Sequence, residues 1–372
     1  MVLKNMKKIL QVNKLYYPWI GGVEKAVEDL AENINDGENF VSHVLCTNSS
    51  GKAKEGNING VKVFYASSLG LFMSQPISLD FFRKFKKIRN DYDVIVIHHP
   101  NPIAFLACYL FRPKGKIIIH YHSDIIKQKI TGFFIKPLVL KVLKMSDKIV
   151  ISSPNMLKSS NILANFKEKC EIIPFGIDKK EIEENLDENL QNQIKEKYGN
   201  YVLFVGRLIY YKGVHVLLEA VKDLDINLVI IGTGKLEKSL KRQVKNLGIE
   251  NRVFFLKNKT RKELINFYSQ AKIFVLPSIF KSEAFGIVLL EAMATGIPLI
   301  STELGTGTSY VNSDGKTGYV VEKDNVKKLK QAIEKILDNK EIDFKNNCLK
   351  RIEENFTFEK FIEDYKKVYE NV

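Results

Sequence analysis

Short apolar runs alternate along this chain with longer segments whose apolar residues recur at helical spacing. In the first half, the runs at 9–12, 41–46, 61–66, 94–98, 116–120, 148–152 and 171–173 predict strands. Helices fall between several of them, such as 23–34 and 79–88. Residues 182–198 are charged and poor in apolar side chains, as in a linker or a surface helix. The alternation then restarts. Strands are predicted at 201–205, 227–231, 253–256, 273–276, 298–301 and 318–320, with helices at 213–222, 236–247, 261–270, 287–294 and 326–337. An amphipathic helix pattern closes the chain from 356 onward. Strands alternating with helices mean βαβ units, hence an α/β fold with a parallel sheet in each half. Ligands of such sheets bind beyond the carboxyl ends of the strands, and the cleft between two domains is the natural site.

Composition narrows the setting. A chain of 372 residues that is 45% apolar is expected to form two domains of ordinary size. Its four cysteines, Cys46, Cys108, Cys170 and Cys348, are scattered, which argues against a zinc or disulfide framework and fits a reducing cytoplasm. The first eight residues lead straight into a strand without a signal-peptide pattern, and no apolar run approaches the ~20 residues of a membrane span. The net charge of +14 sits mainly in the first half: 27 Lys+Arg against 15 Asp+Glu through residue 180, then 30 against 28. Two basic stretches, 83–89 and 127–148, carry apolar residues beside the charges. That combination suits the anionic inner face of a membrane. Nucleic acid is the rival partner, and a generally lysine-rich proteome is the bland account.

The candidate chemistry centres on Glu283 and Glu291, eight positions apart. Between them Phe285-Gly286 leads into the apolar helix 287–294. Gly286 permits a tight turn at a helix start, where outward N–H groups favour an anion. Carboxylates are good acceptors for sugar hydroxyls, so the pair suits a ligand with a central phosphate and hydroxyls at both ends. Taken singly, Glu283 is better explained as a helix cap and Glu291 as a solvated residue, although a carboxylate in an apolar helix wants a partner. Arg207 and Lys212 follow the first strand of the second half beside Gly206 and Gly213, a placement able to grip a diphosphate and neutralise a leaving group; surface charge is the alternative. Gly21 and Gly22 follow the first strand and open a helix, without a dinucleotide fingerprint or a Walker lysine; a plain turn is the alternative. His120 and His122 share a strand face, and a core role is the default for each, because no third metal ligand lies close in sequence. Asp91-Tyr92-Asp93 reads as a solvated turn before a strand rather than a metal site. The segment 303–310 packs glycines and hydroxyls after a strand and either lines the site or serves turn chemistry. Residues 257–260 are the candidate loop for reading the base.

In this order these pieces resemble the retaining glycosyltransferases of family 4, whose GT-B fold is two Rossmann-like domains facing across a cleft. The resemblance rests on Glu283 and Glu291 in the setting Ser282-Glu283-Ala284-Phe285-Gly286, on the string 121–129, on Ile173-Pro174-Phe175-Gly176 and on Gly305-Thr306-Gly307-Thr308-Ser309. The longer strings are similar to those of bacterial mannosyltransferases that use GDP-mannose to build O-antigen on a lipid carrier. The resemblance implies domains at 1–180 and 181–355, and a C-terminal helix at 356–372 returning to the first domain. It implies that Glu283 holds the donor sugar, with Phe285 and Gly286 offering backbone N–H groups, and that Glu291 binds the ribose. Arg207 and Lys212 would hold the diphosphate, and His122 would contact the sugar near the reacting carbon. Gly21 and Gly22 would let the first domain close on the phosphate.

The same resemblance implies a hexosyltransferase that needs neither metal nor cofactor. Its substrates would be a nucleotide sugar, GDP-mannose above all, and a lipid-linked saccharide acceptor, and it would work at the inner face of the cell membrane. GDP-D-rhamnose or a UDP-sugar is the alternative donor. A non-catalytic basic nucleic-acid-binding protein is the alternative of another class. It is disfavoured because the charge lies away from the glutamate-bearing half and no aromatic-lined basic motif accompanies it.

Overall fold

The computed structural model of the protein describes residues 6–19, 21–48, 51–72, 75–124 and 129–372. Residues 1–5, Ile20 and residues 125–128, which include Lys127 and part of the string beginning at Tyr121, lie outside the described residues. The chain divides into two compact units. The first comprises Met1–Ser152, Ser160–Ile173 and Ile362–Val372; the second comprises Ser153–Ser159 and Pro174–Phe361.

Strands of the first unit are β1 (Lys7–Val12), β2 (Phe40–Thr47), β3 (Lys54–Ile58), β4 (Val61–Ala66), a short antiparallel pair β5 (Leu71–Phe72) and β6 (Gln75–Pro76), then β7 (Val94–His99), β8 (Lys116–Tyr121), β9 (Lys148–Ile151) and β10 (Cys170–Ile172). Its helices are α1 (Gly22–Ile34), α2 (Leu79–Ile88), α3 (Pro102–Phe111) and α4 (Lys129–Met145). The main sheet has the order β10-β9-β8-β7-β1-β2-β4-β3. Its strands pair in parallel except β3, which runs antiparallel to β4. This corrects the expectation of a purely parallel sheet. Lys54-Glu55-Gly56-Asn57-Ile58 is an edge strand, half solvated and short of apolar residues, so it leaves no strand signature in the sequence. The strand order reverses between β1 and β7, which places the loops after β1 and β7 at a topological switch point.

The second unit holds the strands β11 (Tyr201–Val205), β12 (Asn227–Ile231), β13 (Val253–Leu256), β14 (Ile273–Leu276), β15 (Leu299–Glu303) and β16 (Gly318–Glu322). They form a parallel sheet of order β13-β12-β11-β14-β15-β16, with its switch point between β11 and β14. Around it run α5 (Pro154–Ser159), α6 (Lys179–Glu184), α7 (Glu188–Tyr198), α8 (Val214–Val221), α9 (Glu237–Leu247), α10 (Arg261–Gln270), α11 (Ile287–Ala294), α12 (Thr308–Val311), α13 (Val326–Leu337) and α14 (Phe344–Asn355). The charged segment 182–198 is thus the end of one short helix and the whole of a second. Asp178 and Asp187 cap their N-termini by accepting from backbone N–H groups, which is what acidic residues do well at that position. The central strands β11 and β14 are apolar and buried throughout, as expected where both faces of a parallel sheet are covered by helices.

The last helix, α15 (Phe358–Glu370), contributes its residues from Ile362 onward to the first unit. There Tyr365 and Tyr369, four apart and so on one stripe of the helix, are fully buried. Lys7 donates from Nζ to the carbonyls of Tyr369 at 2.8 Å and Glu370 at 3.0 Å, where the helix C-terminus leaves acceptors without intrahelical partners.

Candidate active site

In the second unit, two loops at the switch point bring Lys212 and Glu283 together. The first loop follows β11 and carries Gly206, Arg207, Lys212 and Gly213. Gly213 adopts φ +67°, and a Cβ there would stand 1.9 Å from the Pro277 carbonyl oxygen, so no side chain fits. The second loop follows β14 and begins at Pro277. The Ile279 N–H donates to the Tyr211 carbonyl at 2.8 Å, which ties the two loops together. Across this seam Lys212 Nζ lies 2.5 Å from Glu283 Oε2, and each side chain is only 10% exposed. Ser278 donates from Oγ to the same carboxylate oxygen at 3.0 Å. A buried carboxylate is tolerated here because a cation and a hydroxyl both meet it.

Arg207 is exposed on the first loop and donates from Nη2 to the Tyr211 hydroxyl at 3.2 Å. Its charge stands on the same edge as Lys212, where no carboxylate engages it among the described ion pairs. The segment 303–310 joins this site: Thr306 donates from Oγ1 to the Glu283 carbonyl at 2.8 Å, and the Gly307 N–H donates to Ala284 O at 2.7 Å. It therefore holds the backbone on which Glu283 sits.

Gly286 enters α11 in the left-handed region, φ +80° and ψ +61°, and the apolar run Ile287–Ala294 follows. Phe285 is buried, meeting Phe175 edge-on at 5.1 Å between ring centres. Glu291 lies in the helix and is already engaged: Oε1 accepts from Arg261 at 2.5 Å and Oε2 accepts from the Tyr268 hydroxyl at 2.8 Å. Arg261 also donates from Nε and Nη2 to the two carboxylate oxygens of Glu181, at 3.1 and 3.0 Å. Burial alone would lower the Arg261 pKa, but the carboxylates of Glu291 and Glu181 outweigh it and keep the guanidinium firmly charged. Arg261, Tyr268, Ser278 and Glu181 carry no local signal; each is joined to its partner only by the fold.

The first unit holds the other candidates. Gly21, in the loop that follows β1, caps α1 in an extended conformation, and Gly22 is the first residue of that helix. His122 follows β8, is 5% exposed, and donates its backbone N–H to His99 O at 3.1 Å. Parallel pairing sets His98 of β7 beside His120 of β8. Ring nitrogens of His98, His120 and His122 lie within 4.8 Å of one another, so the third imidazole that sequence spacing lacks is supplied by the neighbouring strand. The donor set is one that metals accept. In this fold, however, both nitrogens of His98 are committed: Nδ1 lies 3.0 Å from His122 Nε2, and Nε2 lies 2.9 Å from Gln11 Oε1. Tyr365 Oη lies 2.6 Å from His120 Nδ1. Burial pushes all three imidazoles far down toward the neutral form, His122 to about 3. Asp91 and Asp93 sit exposed before β7, and Asp93 accepts from the Lys8 N–H at 2.8 Å.

Known proteins agree with this architecture. The profile described as Glycosyltransferase Family 4 matches residues 20–181, and that described as Glycosyl transferases group 1 matches residues 185–355. The chain is 34% identical to an O-antigen chain mannosyltransferase of Escherichia coli over 97% of its own length and 98% of the relative's. It is also 34% identical to a D-rhamnosyltransferase of Pseudomonas aeruginosa, over 88% and 85%. Among solved structures, Anabaena HepE in complex with UDP-glucose superposes with a TM-score of 0.78 at 17% identity, covering 98% of this chain and 100% of that one. That likeness gives the fold, GT-B. With the carboxylate pair Glu283 and Glu291, the Lys212–Glu283 contact and both family profiles in place, the chain belongs to glycosyltransferase family 4 and is a hexosyltransferase.

Proposed function

We propose that this enzyme transfers mannose from GDP-mannose to a lipid-linked saccharide during O-antigen or related surface-polysaccharide synthesis, with retention of anomeric configuration. The observation that carries the donor reading is the buried Lys212–Glu283 contact at the switch point of the second unit, with Arg207 on the same edge. Departure of a nucleoside diphosphate develops negative charge on its phosphates. Fixed cations meet that charge with little reorganisation, and the N-terminus of α11 adds its partial positive charge. Glu283 accepts from the sugar hydroxyls and Glu291 from the ribose. Phe285 and Gly286 supply backbone N–H groups, and His122 is the first unit's contact to the sugar. Gly21 and Gly22 are the first unit's candidates for backbone contact with the phosphate.

The relatives support mannose as one candidate sugar, and guanine as the base rests on the resemblance of the sequence strings alone. One is named for mannose transfer to O-antigen and one for D-rhamnose, while HepE is solved with UDP-glucose. GDP-D-rhamnose and UDP-sugars are therefore the donors to test against GDP-mannose. The reaction needs no metal on this reading, since Lys212 and Arg207 supply the charge a metal would otherwise bring. Membrane association at the inner face is proposed from the basic helix α2, where Arg83, Lys86 and Lys87 are exposed beside the exposed Leu79. No helix among the described residues is long and apolar enough to cross a membrane.

A panel of GDP-mannose, GDP-D-rhamnose and UDP-glucose, each with extracted lipid-linked saccharide as acceptor, tests the reading. Mannose appearing on the lipid with its anomeric configuration retained supports it. Transfer only from UDP-glucose, or inversion, overturns it.

A further inference from the structure

His122 sits at the end of a chain of hydrogen bonds that runs through the sheet to the last helix. Gln11 on β1, His98 on β7 and His122 after β8 lie on neighbouring strands and on one face of the sheet, because residues 96 and 98 share a face and Gln11 pairs in register with Val96. α15 covers that face, and Tyr369 is fully buried against it. Gln11 donates from Nε2 to Tyr369 Oη at 3.1 Å, so its amide oxygen is the atom turned to His98. That oxygen can only accept, and His98 Nε2 stands 2.9 Å from it. His98 therefore carries its proton on Nε2. A neutral imidazole with Nε2 protonated has its lone pair on Nδ1, and His122 Nε2 stands 3.0 Å from that atom. His122 is then the donor and carries its own proton on Nε2.

From this we infer that Gln11, His98 and Tyr369 are positioning residues for the glycosyl transfer. They fix His122 in the Nε2–H tautomer and hold its ring plane, which puts the ring's lone pair on Nδ1. The role rests on the assignment of His122 to the donor sugar, whereas the tautomer does not. None of the three touches the sugar. Each acts by removing the alternatives: the other tautomer, a rotated ring, or a protonated imidazole with no acceptor nitrogen. The arrangement has the logic of an outer partner that sets which nitrogen of a histidine does the work.

The experiment has two readouts on the full chain. Two-bond proton–nitrogen correlation on protein labelled at its histidine ring nitrogens, with His122→Gln for assignment, reads the tautomer at neutral pH. Nε2–H on both His122 and His98 is expected. Nδ1–H on His122, which follows if the Gln11 amide is turned the other way, overturns the inference whatever the enzyme transfers. The second readout is kinetic. Gln11→Leu should lower turnover by about 10- to 100-fold, the range seen when an outer hydrogen-bond partner is lost, with GDP affinity unchanged. Gln11→Glu keeps an acceptor for His98 Nε2–H and should recover most of the rate. Equal loss in both variants, or a folded Gln11→Leu enzyme with wild-type turnover, overturns the positioning role. A wild-type enzyme that turns over no nucleotide sugar sinks the functional reading, and the tautomer result still decides this one.

Discussion

Lys212 Nζ and Glu283 Oε2 are 2.5 Å apart in a nearly buried pocket, although 71 positions separate them in the chain. Each answers the other's desolvation, and Ser278 supplies a further hydrogen bond to the carboxylate. A nucleotide sugar offers both partners alternatives: phosphate oxygens to the lysine and hydroxyl donors to the glutamate. On the proposed reading, the pair is held ready by its own contact and is redirected to the donor without exposing an unmatched charge.

Removing one partner alone should be costly. Lys212→Met leaves the Glu283 carboxylate without its cation, and roughly 3 kcal/mol of stability should be lost, as when a buried pair is broken. The double variant Lys212→Met/Glu283→Gln should be markedly less destabilised than the two single costs summed. Denaturant unfolding of all four proteins measures the coupling. Strict additivity would show that the contact carries no energy.

Glu291 is predicted to act on nucleotide affinity more than on chemistry. Glu291→Gln weakens the link to Arg261 and removes an ionised acceptor, so GDP binding should weaken about tenfold, in line with a charged hydrogen bond of about 1.5 kcal/mol. Turnover at saturating donor should stay near wild type. Calorimetric titration with GDP checks the first statement and saturation kinetics the second.

Acid should destabilise the first unit. His98, His99, His120 and His122 are buried with pKa values pushed down from the ordinary value, His99 and His122 to about 3, chiefly by burial; the cationic Lys14 adds to the effect on His99 and His122. The unfolded chain binds protons at these residues near pH 6.5, and the folded chain refuses them. Their contribution is therefore fully present above about pH 6.5 and is lost as pH falls toward the folded values, at up to about 1.4 kcal/mol per residue per unit. Unfolding midpoints at pH 7.5 and 5.5 should show the fall, and a flat profile would mean that these imidazoles are open to protons in the fold.

Gly286→Ala tests the turn into α11. At φ +80° the new Cβ would stand 2.9 Å from Leu276 Cδ2, so strain of about 1–3 kcal/mol is expected. Gly22→Ala, with open space around its Cβ position, should leave melting almost unchanged. Thermal melts of the two variants side by side check the contrast.

Charge on α2 should govern membrane binding. Arg83→Glu/Lys86→Glu/Lys87→Glu should abolish co-sedimentation with vesicles containing anionic phosphatidylglycerol and leave turnover of a soluble acceptor analogue intact. Binding that ignores lipid charge would remove α2 from the account.

Much of this was legible in the sequence where one local rule governs. α2, α10, α11, α13 and the strands β11 to β14 are bounded where periodicity places them, because capping residues, glycines and short apolar runs mark their ends. β3 is an edge strand without alternation, and α3 is apolar almost all round, so neither shows a period. The site divides the same way. Glu283, Glu291, Arg207 and Lys212 stand out by spacing beside glycines. Their partners do not: Arg261 meets Glu291 across 30 positions, and His98 meets His122 only through the register of β7 with β8. Register and loop-to-loop contacts are properties of the folded chain, and a single sequence carries no local mark of them.

The central claim is that Glu283 belongs to the donor-sugar site, and Glu283→Gln tests it most directly. Turnover of the nucleotide sugar and the GDP dissociation constant should be measured on the same preparations of both proteins. The account predicts turnover lower by on the order of 10²- to 10³-fold, as for loss of one fixed charge-stabilising group, with the GDP dissociation constant little changed. Wild-type turnover in Glu283→Gln would contradict it.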